Sequence, residues 1–145
     1  MDALADQKDI SVRPIGLSKE GREMRLMMIG QAQATDRIMV ISRQHPPEVT
    51  GYLAMKGFIE TVAGDSKLAR KFRKSFAVDV VPLMNPDGAD NGHWRHNSGG
   101  IDLNRDWSDF NQPETSNVRD FAQQQVEDGQ AQYHFFTRLL ATPVS

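Results

Sequence analysis

From Ile38 to Ile41 the chain is apolar at every position, and it then stops abruptly at the polar stretch SRQHPPE. A short run buried on both faces is what a central strand of a largely parallel sheet requires. Two further stretches, Ile10–Ile15 and Met24–Ile29, read as strands flanking a turn around Gly21. Beyond the break the period changes. Tyr52, Met55, Ile59 and Val62 fall three and four residues apart, which predicts an amphipathic helix over Val49–Ala63. A short basic helix follows, Ser66–Lys74, with Ser66 as its cap and its charges on a solvated face. Phe76–Met84 returns to a buried-strand pattern and ends at the turn tetrapeptide NPDG, 85–88, where Asp87 is expected to bond nearby backbone. Val118, Phe121, Ala122 and Val126 form the apolar stripe of a last helix. NQPE, 111–114, marks its start, with Asn111 as cap and Pro113 in the first turn. A final strand begins at Tyr133. Strands alternating with helices imply an α/β layered sheet.

Between the turn and the last helix, residues 89–112 show no periodicity and are rich in Gly, Asn, Asp and His. Loops of that length in a compact domain are usually functional. Trp94 and Trp107 are expected to anchor this one by packing beneath it, and His93, His96 and His134 to sit at the surface or behind the site.

Composition narrows the classes. One domain fits 145 residues. A net charge of −2 leaves no electrostatic footprint for nucleic acid or an anionic membrane. No apolar run is long enough to span a bilayer, and no basic-then-apolar leader is visible at the N-terminus, which leaves the compartment open. There is no cysteine, hence neither disulfide nor thiolate chemistry.

The candidate chemistry begins where the apolar strand ends. His45 and Glu48 are three residues apart with two prolines between them. Ligands collect at the carboxyl ends of strands in open α/β sheets, and an imidazole with a carboxylate suits zinc. The prolines limit the backbone freedom lost when the two groups converge. The plainer alternative is a turn whose Glu48 stabilises the helix start. Arg95 in HWRHN and Arg105 in GGIDLNRDW add two guanidinium forks, the natural partners of a carboxylate.

In order, HPPE, a helix, a strand ending in NPDG, then WR and DLNRDW resemble the zinc carboxypeptidase family over about Ile10 to Thr142. The resemblance implies a three-layer α/β/α sandwich with a mixed eight-stranded sheet. It implies one zinc ion held by His45 and Glu48, with Arg95 polarising the scissile carbonyl. Asn104 and Arg105 would grip the terminal carboxylate of a peptide or protein substrate, so that C-terminal residues are removed.

The pattern also departs from that family. In FFTRLLAT, 135–142, Arg138 stands at the position of an aspartate and Leu140 at that of the third zinc ligand, a histidine. Leucine cannot bind zinc. The general-base glutamate would fall beyond Ser145. Residues 1–145 therefore read as the N-terminal portion of one catalytic domain, truncated, frame-shifted or degenerate, and incomplete as a sandwich. Such a chain should be inactive by itself and should self-associate through an exposed sheet edge. Two other readings stay open: a non-catalytic pseudoenzyme that binds carboxylates, and a zinc amidase or deacylase on the same fold.

Overall fold

A computed structural model of the chain describes residues 9–128 and 132–139. Five strands, β1 (Ile10–Leu17), β2 (Glu23–Ile29), β3 (Asp36–Ser42), β4 (Phe76–Val81) and β5 (Gln132–Leu139), form one mixed sheet in the order β1-β2-β4-β3-β5. The β1–β2 and β2–β4 pairs are antiparallel, whereas β3 runs parallel to both β4 and β5. This places the short apolar run of β3 between two strands, as its continuous hydrophobicity predicts.

The helices divide between the faces. α1 (Val49–Ala63) lays Met55, Ile59 and Val62 against Met27, Ile29, Val40, Val78 and Val80. α4 (Pro113–Glu127) covers the other face, with Val118 and Phe121 on Met24, Leu26, Met39 and Ile41. Each such side chain, once fully buried, contributes roughly 1.5–3 kcal/mol. The result is an α/β/α sandwich, with β1 and β5 as the edges of the described sheet. Among the described residues no helix is long and apolar enough to cross a membrane.

Several elements differ from the sequence expectation for identifiable reasons. β4 ends at Val81, not Met84, because the Met84 amide turns to donate to the carbonyl of Ser42 at the end of β3. NPDG is not an isolated turn but the start of the short helix α3 (Pro86–Asp90), with the Asn85 side chain accepting from the Gly88 amide. α2 (Lys67–Ser75) is capped by Ser66 as expected, yet its basic face is not wholly solvated. Arg73 is buried and donates to the carbonyls of Val62 and Gly64 at the end of α1. The start of α4 is not capped by Asn111. The Asp106 carboxylate instead accepts from the amides of Asn111 and Gln112 and from the Thr115 hydroxyl.

Within the apolar layer sits a pairing that hydrophobicity alone conceals. Arg37 and Asp79, both fully buried, form a bidentate ion pair at 2.7 Å across β3 and β4. The Tyr133 hydroxyl on β5 donates to the same carboxylate at 2.8 Å. Burial, followed by the negative charge of Asp79, pushes the Tyr133 hydroxyl far above its ordinary pKa, so it remains a donor.

Candidate metal centre

The site forms where β3 stops. Arg43 adopts a left-handed backbone, φ +56°, a conformation that costs a non-glycine residue of order 1 kcal/mol and persists only where its surroundings enforce it. They do so here through Asn85. Its amide donates to the carbonyl of Arg43, and its side-chain nitrogen donates to those of Gln44 and His96. Asn85 thus ties the end of β3 to the loop that follows α3. A side chain at position 88 would collide with it, since a Cβ there would lie 2.6 Å from the Asn85 amide nitrogen, which explains the glycine of NPDG.

The reversal leaves His45 and Glu48 side by side and nearly buried, His45 Nδ1 being 2.8 Å from Glu48 Oε1. Glu48 makes no capping hydrogen bond at the head of α1, so its carboxylate is turned toward the histidine and not toward the helix amides. Its other oxygen, Oε2, is buried without a hydrogen-bond partner among the described residues. Buried polar atoms are rarely left unpaired. An imidazole nitrogen beside a carboxylate with one unsatisfied oxygen is a donor set that fits zinc. These two side chains are the extent of it: among the described residues no cluster of three or more His, Cys, Asp or Glu is arranged to hold a metal ion.

The second histidine nitrogen leads to a residue that the sequence pattern does not single out. His45 Nε2 lies 2.8 Å from Asp102 Oδ1, which also accepts from the Asn104 amide at 3.0 Å. The other carboxylate oxygen accepts from Arg95 Nε at 2.8 Å and pairs more loosely with Arg105 Nε at 3.7 Å. Asp102 is 8% exposed. Burial works to raise its pKa, but hydrogen bonds from His45, Arg95 and the Asn104 amide, with the charge of His45, overcome that and hold it at about 2. It is ionised at neutral pH. A carboxylate behind a ligating histidine fixes the ring's orientation and raises its basicity. The signal is present in the sequence as the acid of DLNR, lying between two arginines, but an acid in a polar loop carries no periodicity to mark it.

All five site residues expected from the sequence therefore surround one carboxylate or its histidine. Arg95 is half-exposed, Asn104 follows Asp102 in the 3₁₀ turn of Leu103–Arg105, and Arg105 is 81% exposed at its side chain, free to reach a ligand. Trp94 does not pack beneath the loop. It is 80% exposed, because the neighbouring Arg95 is the residue turned inward. Trp107 does pack, against the α4 face of the sheet, and its indole N–H donates to Gln44. Asp87 reaches far beyond nearby backbone: fully buried, it accepts from the Ser18 and Ser98 hydroxyls, the Glu20 amide and Arg22. Leu140 lies outside the described residues, as do the side chains of His134 and Arg138.

The family model for zinc carboxypeptidases matches residues 1–145, and the chain belongs to that family. Among its relatives, an uncharacterised Zymomonas mobilis protein is 32% identical over 120 residues, covering 80% of this chain and 31% of that protein. Cytosolic carboxypeptidase 1 of Xenopus laevis is 42% identical over 74 residues, 51% of this chain and 6% of its own length. In three dimensions the chain is similar to a metallo-carboxypeptidase from Burkholderia cenocepacia, with a TM-score of 0.82 and 29% identity over 94% of this chain and 38% of that one. The chain thus spans well under half the length of each.

Proposed function

We propose that this chain carries the metal-binding and carboxylate-gripping part of a zinc-dependent carboxypeptidase that removes C-terminal residues from peptides. The observation that carries this reading is the convergence of His45 on Glu48 at one nitrogen and Asp102 at the other, with Glu48 Oε2 left unsatisfied. His45 and Glu48 hold one zinc ion. When bound, zinc supplies a Lewis acid that polarises the scissile carbonyl and acidifies the attacking water. Asp102 keeps the His45 ring in place. Arg95, attached to the same carboxylate, presents positive charge to the carbonyl oxygen as negative charge develops there. Asn104 and Arg105 bind the substrate's terminal carboxylate, which fixes the bond presented to the metal and excludes internal peptide bonds.

A catalytic zinc takes three protein ligands, and this chain supplies two from its described residues. Alone it turns over peptides poorly, and residues 1–145 form the N-terminal portion of the working domain. Leu140 at the third-ligand position favours a second reading, in which the chain binds carboxylates without catalysis.

The carboxylate grip has a direct test. N-benzoylglycine should bind the chain, whereas its amide, lacking the charge, should bind about tenfold or more weakly, as expected for charge-assisted hydrogen bonds. Arg105→Ala should erase the difference in calorimetric titration. Equal binding of acid and amide by the unaltered chain would remove the proposed roles of Asn104 and Arg105.

A further inference from the structure

Arg95 and Asp102 leave from opposite ends of one small closed loop, and a single side chain closes it. The backbone of Asn97 exchanges hydrogen bonds with Ile101 (N–H to carbonyl, 2.9 Å) and Gly100 (carbonyl from N–H, 3.1 Å). The Asn97 Oδ1 accepts from the amides of Gly99 and Ile101, both at 3.0 Å. Its Nδ2 leaves the loop altogether. It donates to Gln112 Oε1 at 2.9 Å and to Glu114 Oε2 at 3.2 Å, at the start of α4. Asn97 is 1% exposed and Glu114 fully buried. The other Glu114 oxygen accepts from the Lys19 amide at 3.1 Å, so the carboxylate is fixed from the β1–β2 turn as well.

A buried amide that uses both its acceptor and its donor is a rigid joint, because releasing either side strands a polar group away from water. This joint follows Arg95 by two residues and precedes Asp102 by five. We infer that Asn97, held by Glu114, is the positioning residue that sets the Arg95–Asp102 contact and, through it, the orientation of Arg95 toward substrate. The second half of this inference rests on the substrate-binding role proposed above; the first half rests on geometry alone.

Asn97→Asp keeps the shape but replaces the donor, so that carboxylate faces carboxylate at Glu114. Adding Glu114→Gln restores a hydrogen bond with its direction reversed: the introduced amide donates to the introduced carboxylate and still accepts from the Lys19 N–H. Two readouts separate the claims. The first is the Arg95 Nε–H resonance, a signature of the guanidinium–carboxylate bond that general loosening elsewhere does not reproduce. The second is N-benzoylglycine affinity. Asn97→Asp should lose the exchange protection of Arg95 Nε–H and, because the displaced Asp102 also holds the Asn104 amide and Arg105, bind the probe at least tenfold more weakly; the double variant should recover both to within about twofold. Should Asn97→Asp fail to fold, Asn97→Ser takes its place, its shorter side chain giving up the donor to Glu114. An unaltered Arg95 Nε–H in a folded single variant, or a loss that the double variant does not recover, overturns the positioning role. If the resonance behaves as described while the unaltered chain ignores N-benzoylglycine, Asn97 positions Arg95 but the carboxylate-binding reading falls.

Discussion

Asp79→Asn is expected to cost the chain about 3–5 kcal/mol of stability, because it leaves the Arg37 guanidinium charged, buried and without its counter-ion. Arg37 cannot escape the cost by losing its proton, and at 1% exposure it has no route to water without opening the sheet. Arg37→Met combined with Asp79→Leu should recover much of the loss. Replacing a buried pair by apolar residues of similar volume is often neutral, although Tyr133 would then lack its acceptor. Urea unfolding of the three forms measures this. An Asp79→Asn loss under about 1 kcal/mol would mean that water reaches the pair and that the three strands are not pinned by it.

The second large effect concerns Asp102. Asp102→Asn should lower zinc affinity about 10–100-fold, the usual consequence of removing the partner behind a ligating histidine, while leaving the fold intact. The asparagine preserves the acceptor for one donor but loses the negative charge that His45, Arg95 and the Asn104 amide share. The same substitution should weaken N-benzoylglycine binding, since Arg105 and the Asn104 amide lose the charge that holds them. Zinc affinity unchanged in a folded Asp102→Asn chain would show that the histidine is oriented by other contacts.

The two substitutions also mark what could be read from the sequence. Helix α1 runs over the same fifteen residues that its three- and four-residue spacing predicts, and Ser66 caps α2 as its position before a helical stretch implies. The buried character of β3 follows from four apolar residues in a row. Such features are local, because period and capping depend on neighbours along the chain. The pairings that organise the site are not local. Arg37 meets Asp79 across 42 positions, His45 meets Asp102 across 57, and Asp87 meets Ser18 across 69. A lone acid inside FAVDVV gives no sign of which cation will join it. Likewise Asp102, Asn97 and Glu114 lie in segments without periodicity, where a residue's role depends on which distant element closes over it. His45, Glu48, Arg95 and Arg105 stand out by side-chain chemistry and position alone, but Asn104, and the role expected of each, follow only from the resemblance of their order to a known family. Trp94 shows the limit of composition: a tryptophan in a loop is expected inside, but this one points to solvent because its neighbour takes the inward position.

The most direct measurement is a zinc titration of the metal-free chain against its His45→Ala variant at neutral pH, with circular dichroism to verify that both are folded. Loss of His45 would remove one of the two proposed donors and its link to Asp102, so affinity should fall by more than about 100-fold, beyond the effect of an outer partner alone. Zinc binding of equal strength in the two chains would contradict a metal held by His45 and Glu48 at the end of β3.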